Sequence, residues 1–237
     1  MKQTAIVTGA SRGIGKVLAL RLASLNYNLS LVGRSGELLK ELKSEIESLG
    51  SKCLVIETDI SLDEAPEKIV NETYKHFGQI DVLVNNAGMS FSGSVMETDR
   101  SVWEKLFAVN ACAPFFLCKA AIPFLKKSKN PAIINMASVV GFKGYINQAA
   151  YSSSKHALVG FTKVLAKEVQ KDGIRVHLIS PGAVNTEMVR EMRPDIDYNE
   201  LIQPEEIADI AEFLLTRKGK GTVDHIYIRR QSGLAFD

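Results

Sequence analysis

Short runs of β-branched and aliphatic residues alternate with longer stretches of helical periodicity, and this alternation constrains the fold more than any other feature of the chain. The runs are TAIVTG (4–9), LSLVG (29–33), KCLVIET (52–58), IDVLVNN (80–86), AIINMAS (132–138), IRVHLIS (174–180) and DHIYIR (224–229). Helical patterns fall between them at about 13–26, 36–49, 62–77, 98–127, 150–172 and 204–217. The second helical stretch carries Leu38, Leu39, Leu42, Ile46 and Leu49 at helical spacing with charges between them. Several strands are almost wholly apolar, as parallel strands covered on both faces must be. The chain is therefore expected to form an α/β doubly wound parallel sheet of about seven strands with right-handed crossovers.

At 237 residues the chain suits one such domain, 1–237, with no repeat or flexible linker dividing it. A polar, proline-bounded stretch at 186–204 breaks the pattern and reads as an irregular lid. A hydrophobic share of 46% supplies a large core, and a net charge of +2 provides no broad field for nucleic acid or membrane. Cys53, Cys112 and Cys118 lack disulfide or zinc spacing and read as buried thiols. No signal peptide is expected at the N-terminus, and no apolar run is expected to reach the roughly 20 residues that span a bilayer. A cytoplasmic protein is the expectation.

In open α/β sheets ligands lie beyond the carboxyl ends of the strands. The first strand ends in TGASRGIG, with Gly9, Gly13 and Gly15. Glycines here allow a tight turn, close approach of backbone to a pyrophosphate and close helix–strand packing. The next helix aims its free N–H groups and positive dipole end at the phosphates. The spacing differs from GxGxxG, but its place between first strand and first helix favours a dinucleotide site over a structural turn.

After the second strand come Gly33, Arg34 and Ser35, with no carboxylate before Glu37. A free ribose 2′-hydroxyl is usually met here by Asp or Glu. Arg34 instead offers a planar fork to a 2′-phosphate, and Arg12 adds a second cation, which predicts NADP(H). Both arginines could also simply be solvated. Asp59 and Ile60 stand where they could meet an adenine, although Asp59 could equally cap the following helix. NNAG (85–88) suits backbone packed on a ribose, and also fits a turn. Tyr151 and Lys155 lie one helical turn apart on one face, a spacing that alone distinguishes nothing.

Taken together, TGASRGIG, Asp59, NNAG, Asn110, Ser138, YSSSK (151–155) and PGAVNT (181–186) resemble the short-chain dehydrogenase/reductase family in order and approximate spacing over nearly the whole chain. The resemblance implies a Rossmann-type fold and a catalytic group of Asn110, Ser138, Tyr151 and Lys155. It implies cofactor contacts from Gly9, Ser11, Arg12, Gly13, Ile14, Gly15, Arg34, Ser35, Asp59, Ile60, Asn86, Ala87, Gly88, Tyr151, Lys155, Pro181, Gly182, Val184 and Thr186. Within it, Val184 backbone meets the carboxamide, Thr186 a phosphate, Lys155 the nicotinamide ribose, and Asn110 helps retain a water.

The chemistry is coherent on its own terms. Carbonyl reduction requires a hydride on carbon, which NADPH supplies, and a proton on oxygen, which Tyr151 would donate. A free phenol titrates near pH 10, and the Lys155 ammonium is expected to lower that value. Ser138 would hydrogen-bond the substrate oxygen.

Met89, Phe91, Val140, Phe142 and Tyr145 flank these residues and point to a largely apolar substrate pocket, with no charged clamp to assign. The 3-oxoacyl-carrier-protein reductases resemble the first 180 residues, and Lys126, Lys127, Lys129 and Lys171 lie where such enzymes dock acyl carrier protein. Solvated lysines at helix ends are also commonplace. The C-terminal DHIYIRRQSGLAFD departs from those reductases, which puts a tetramer in doubt, while helices 98–127 and 150–172 could form a dimer. A small carbonyl or alcohol substrate and a homo-oligomer are expected. A non-catalytic NADP(H)-binding sensor is the alternative of another class.

Overall fold

The computed structural model describes residues 2–192 and 196–234. Seven parallel strands form one sheet: β1 (Thr4–Thr8), β2 (Asn28–Gly33), β3 (Cys53–Glu57), β4 (Val82–Asn85), β5 (Ala132–Met136), β6 (Arg175–Pro181) and β7 (His225–Ile228). Their order is β3-β2-β1-β4-β5-β6-β7. The winding reverses between β1 and β4, which pair with Ala5 opposite Val82 and Val7 opposite Val84. A crevice opens at that point beyond the strand ends.

Helices α1 (Gly13–Ser24), α2 (Gly36–Ser48), α3 (Ala65–Phe77), α4 (Arg100–Phe107), α5 (Ala113–Leu125), α6 (Ala149–Val169), α7 (Glu187–Met192) and α8 (Pro204–Thr216) complete the fold. Successive strand residues point to opposite faces, so each strand feeds two cores. Ala5, Val7, Val82, Val84 and Ile134 pack with Leu18 and Leu22 of α1, Leu39, Leu42 and Ile46 of α2, and Ile207 and Leu214 of α8. Ile6, Leu83 and Ile133 pack on the other face with Ile69 of α3, Leu117 and Leu125 of α5, and Leu165 of α6. Both faces are covered, which is why the strands read as continuous apolar runs.

Several expectations need correction. Leu38 of α2 and Leu49, just past its end, are exposed, because only the arc through Leu39, Leu42 and Ile46 faces the sheet. Cys53 and Cys118 are buried, but Cys112 is exposed on the outer side of its helical turn. The 98–127 stretch is not one regular α-helix: α4 and α5 join through a π-helical turn, Ala108–Cys112. The run Arg100–Leu125, 26 residues, is long and apolar enough by length and composition to cross a membrane, contrary to the sequence reading. Here nearly half of its most apolar stretch is buried, and it packs on α3 and α6. The lid is also more ordered than expected: it opens with α7, and Val184 bridges Ile202 where the chain returns. Its residues 193–195 and the chain end 235–237 lie outside the described residues.

Candidate active site

The loops at the carboxyl ends of the strands surround a cleft of about 530 Å³. From β1 it receives Gly9, Ser11, Arg12, Gly13 and Ile14, from β2 Arg34 and Ser35, and from β3 Asp59 and Ile60. Asn86, Ala87 and Gly88 follow β4, Ser138 follows β5, Tyr151 and Lys155 come from α6, and Pro181, Gly182, Val184 and Thr186 come from the end of β6 and beyond. Six separate connections thus converge on one cavity.

The glycine loop is required by geometry. Gly9 and Gly13 have φ of +64° and +53°, the left-handed region that L side chains rarely adopt. Gly15 does not line the cleft; a Cβ there would fall 2.1 Å from the Gly9 carbonyl oxygen. Its role is to let α1 seat against the loop. Thr8, unnoticed in the sequence, ties the loop to β4: its hydroxyl accepts from the backbone N–H of Asn86 and of Ala87, each at 3.0 Å. The Asn86 amide returns a hydrogen bond to the Thr8 carbonyl at 2.9 Å. These are the two connections flanking the switch point.

Arg34 is largely exposed on the cleft rim and lies 4.0 Å from Asp59. Arg12 pairs with Glu187 of α7 across the mouth of the cleft. Asp59 does not cap the following helix, which begins at Ala65 with Glu64 before it; its Oδ1 instead closes a local turn, accepting from the Ser61 backbone N–H at 2.9 Å and from the Ser61 hydroxyl at 2.7 Å. Those bonds, chiefly the backbone one, hold its carboxyl below the usual range. Lys105 of α4 also lines the cleft, a contribution that helical periodicity could not reveal. Thr186 caps α7, accepting from the Val189 N–H at 3.4 Å.

Around the Tyr–Lys pair the structure is tightly built. Tyr151, Lys155, Ser138 and Asn110 are all buried, Asn110 completely. The π-helical turn widens the helix at Asn110 and turns its amide inward, a distortion that recurs at functional sites. Asn110 Nδ2 donates to the Met89 carbonyl at 2.9 Å and to Ser154 Oγ at 3.0 Å, and its Oδ1 accepts from the Met89 N–H at 2.9 Å. Ser154 in turn donates to the Tyr151 carbonyl at 2.8 Å. Asn110 therefore links the segment after β4 to α6, both walls of the cleft. Lys155 Nζ donates to the Met136 carbonyl at 2.9 Å, at the end of β5. Gly88 keeps this space open, since a Cβ there would lie 3.2 Å from Asn110 Oδ1 and 3.6 Å from Lys155 Nζ.

The electrostatics depart from expectation. Burial pushes the Tyr151 phenol up to about 12, opposed by a hydrogen bond with Ser138. Burial also brings the Lys155 ammonium down from 10.5 to about 8. The anticipated lowering of the phenol by Lys155 is not the outcome, because desolvation dominates in this interior and the ammonium donates to a carbonyl.

A second cavity of about 170 Å³ shares Ser138 and Tyr151 with the cleft. Val140 and Tyr145 line it as anticipated. Met89 lines the larger cleft instead, and Phe142 stacks on His225 at 4.6 Å. The smaller cavity is not the apolar chamber expected: Lys143, Arg229 and Arg230 also line it. The two arginines reach it from the end of β7, 78 residues beyond Tyr151 in the chain for Arg229, so only the sheet order brings them there.

Comparison with known proteins agrees with this architecture. The family model for short chain dehydrogenase matches residues 3–197. Carbonyl reductase family member 4 from Xenopus laevis is 34% identical, covering 91% of this chain and 92% of its own length. The 3-oxoacyl-[acyl-carrier-protein] reductase FabG from Aquifex aeolicus is 33% identical over 94% of this chain and 95% of its own. Among solved structures, an alcohol dehydrogenase from Thermococcus sibiricus complexed with 5-hydroxy-NADP superimposes with a TM-score of 0.91 at 26% identity over the whole of both chains. A metagenomic short-chain oxidoreductase in complex with NADP gives 0.85 at 31% identity over 98% of each. With its switch-point cleft, glycine loop and buried Ser–Tyr–Lys group, this chain belongs to the short-chain dehydrogenase family of oxidoreductases.

Proposed function

We propose that this protein is an NADP(H)-dependent oxidoreductase that interconverts a small carbonyl compound and the corresponding alcohol, with Tyr151 as general acid and base. The observation that carries this is the position of Ser138 and Tyr151 on the wall between the larger cleft and the smaller cavity. A dinucleotide in the cleft and a carbonyl in the cavity would meet at that wall.

The residues fit the cofactor. The positive-φ glycines and the α1 N-terminus offer backbone N–H groups to a pyrophosphate. Arg34 and Ser35 stand where a 2′-phosphate would lie, with no carboxylate of their own loop to repel it. The NADP-type ligands of the two similar structures support the same choice. When bound, the reduced cofactor supplies the hydride.

The chain's own residues handle the proton. A phenol raised to about 12 is protonated at neutral pH, which is the form a proton donor needs for carbonyl reduction. Ser138 would hold the substrate oxygen and steady charge developing there. Lys155, near 8, keeps a positive charge at pH 7 and would favour the phenolate once the proton has left. Asn110 positions Met89 and α6 around this group.

Two of the lysines considered for carrier docking have local partners: Lys126 pairs with Asp172 at 2.9 Å, and Lys127 lies over the Tyr74 and Phe124 rings. This favours a free small-molecule substrate. Exposed Phe115 and Phe116 on α5 and Val164 on α6 leave an apolar face suited to pairing two copies of the chain.

The test is Tyr151→Phe, assayed for NADPH consumption with a panel of ketones, aldehydes, quinones and 3-oxoacyl thioesters. Removing the proton donor is expected to reduce turnover about 10²–10⁴-fold with NADPH binding retained. Undiminished turnover would remove Tyr151 from the mechanism, and binding without turnover by the unaltered protein would favour a sensor.

A further inference from the structure

Given the reaction proposed above, we infer that Asn135 and Thr162 are positioning residues for Lys155: a buried amide and a buried hydroxyl, bonded to each other between β5 and α6, fix where its ammonium stands. Asn85 and Asn135 lie opposite one another in the register of β4 and β5. The Asn85 amide donates to Asn135 Oδ1 at 2.8 Å, and Asn135 Nδ2 donates to Thr162 Oγ1 of α6 at 2.9 Å. Thr162 in turn donates to the Leu158 carbonyl at 2.6 Å, one turn back along its own helix. All three side chains are buried, that of Asn135 completely. The ladder ties two adjacent strands to the helix that carries Tyr151 and Lys155.

On both elements the ladder stands next to the lysine. Asn135 immediately precedes Met136, whose carbonyl accepts from Lys155 Nζ at 2.9 Å. Thr162 follows Lys155 by seven residues, close to two helical turns, so both side chains leave α6 on one face. Lys155 makes no other hydrogen bond among the described residues, so the place of its ammonium follows from how α6 lies on β5. The surrounding contacts are apolar, with Ile133 and Leu165 in one cluster and Leu158 and Leu178 in another. Apolar burial is non-directional and permits a helix to slide or roll; hydrogen bonds fix both distance and direction. Gly141 completes the fit by bringing the turn after Ser138 against the same helix, where a Cβ would stand 3.2 Å from the Lys155 carbonyl oxygen.

Stability alone would be served better by apolar side chains of similar size. Asn85 Oδ1 is buried and meets no donor among the described residues, and a partly satisfied buried network carries a desolvation cost. What such a network contributes is a single specified arrangement, and the titration of Lys155 reports it. Tyr151 shares its helix, while Asp59, Glu187, Glu191, Arg12, Arg34 and Lys105 reach the cleft from other connections. Burial, rather than any of these charges, brings the ammonium down. A helix lying less closely on β5 would admit water and return the ammonium toward 10.5.

The experiment follows Lys155 directly, by NMR titration of protein labelled at lysine Cε, the Lys155 resonance being the one missing from Lys155→Met. Thr162→Val keeps the shape of the side chain and deletes its hydroxyl; Thr162→Ser keeps the hydroxyl. The midpoint is expected near 8 in the unaltered protein and in Thr162→Ser, and displaced upward in Thr162→Val. Turnover of a ketone at pH 7 should fall about tenfold or more in Thr162→Val, from misplacement of the group. Asn135→Leu breaks the same ladder from the strand and should displace the midpoint in the same direction, so either variant decides if the other does not fold. A midpoint does not depend on the fraction of protein folded, which separates positioning from stability. A midpoint unmoved in these variants, or moved as far in Thr162→Ser as in Thr162→Val, would overturn the inference and leave the oxidoreductase reading intact. If the unaltered protein turns over no ketone, that reading fails separately, and the titration still decides whether the ladder places Lys155.

Discussion

Lys155 is held in an interior that disfavours its charge, so replacing it should stabilise the protein while disabling it. Burial brings its ammonium from 10.5 down to about 8, a difference equivalent to roughly 3 kcal/mol. Lys155→Met keeps much of the side-chain volume and removes the charge. It also removes the hydrogen bond to the Met136 carbonyl, a loss of about 1 kcal/mol. The net gain at pH 7 is then about 2 kcal/mol, or about 4–8 °C in Tm for a chain of this size.

The pH dependence carries the same physics with a definite sign. Below pH 8 both folded and unfolded chains hold the lysine proton, and the folded protein bears the full burial penalty. Between about 8 and 10.5 the unfolded chain keeps the proton and the folded one releases it, so stability rises with pH in the unaltered protein. The variant lacks this rise, and other titrations cancel in the difference. Urea unfolding of both proteins at pH 7, 8, 9 and 10 should show the variant's advantage shrinking through that window. A variant less stable at pH 7, or a gap constant from pH 7 to 10, would refute the assignment of Lys155 as a desolvated cation.

Three further outcomes are expected. The rate of carbonyl reduction should decline as pH rises through about 8, because the Lys155 charge is lost there while the Tyr151 phenol, near 12, stays protonated; a flat profile to pH 10 would argue that the charge plays no part. Arg34→Ala should weaken NADPH binding about tenfold or more and leave NADH binding nearly unchanged, since the exposed guanidinium would act only on a 2′-phosphate; calorimetric titration with each cofactor separates these. Asn110→Ala should lower Tm and turnover together, because it strips the partners from Met89 and Ser154 in a fully buried site, a destabilisation of about 2–4 kcal/mol from unpaired buried groups; unchanged thermal unfolding would show that water takes over those bonds.

The loop sequences announced the cleft because their chemistry is local. A positive φ requires glycine wherever the chain later goes, and strand–glycine–helix order already commits the following N–H groups to one point. The Tyr151–Lys155 spacing is equally local, a property of any helix. The split of 98–127 at Asn110 was not legible, since a π-helical turn arises from packing against Met89 and Ser154, residues distant in the chain. Asp59 shows an intermediate case: it lines the cleft but does not cap the helix that starts at Ala65, its carboxylate being taken by a turn to Ser61.

The amino-acid order by itself determined the parallel sheet and the glycine loop, because hydrophobic periodicity and backbone stereochemistry act over a few residues. Only the tertiary structure decided the balance of charge. Whether a phenol rises or falls depends on how completely neighbouring elements exclude water from it, and here desolvation outweighed the hydrogen bond with Ser138. The meeting of Lys143 with Arg229 and Arg230 likewise depends on β7 pairing with β6. Solvent exclusion and strand order are properties of the assembled fold, and no stretch of the chain carries them alone.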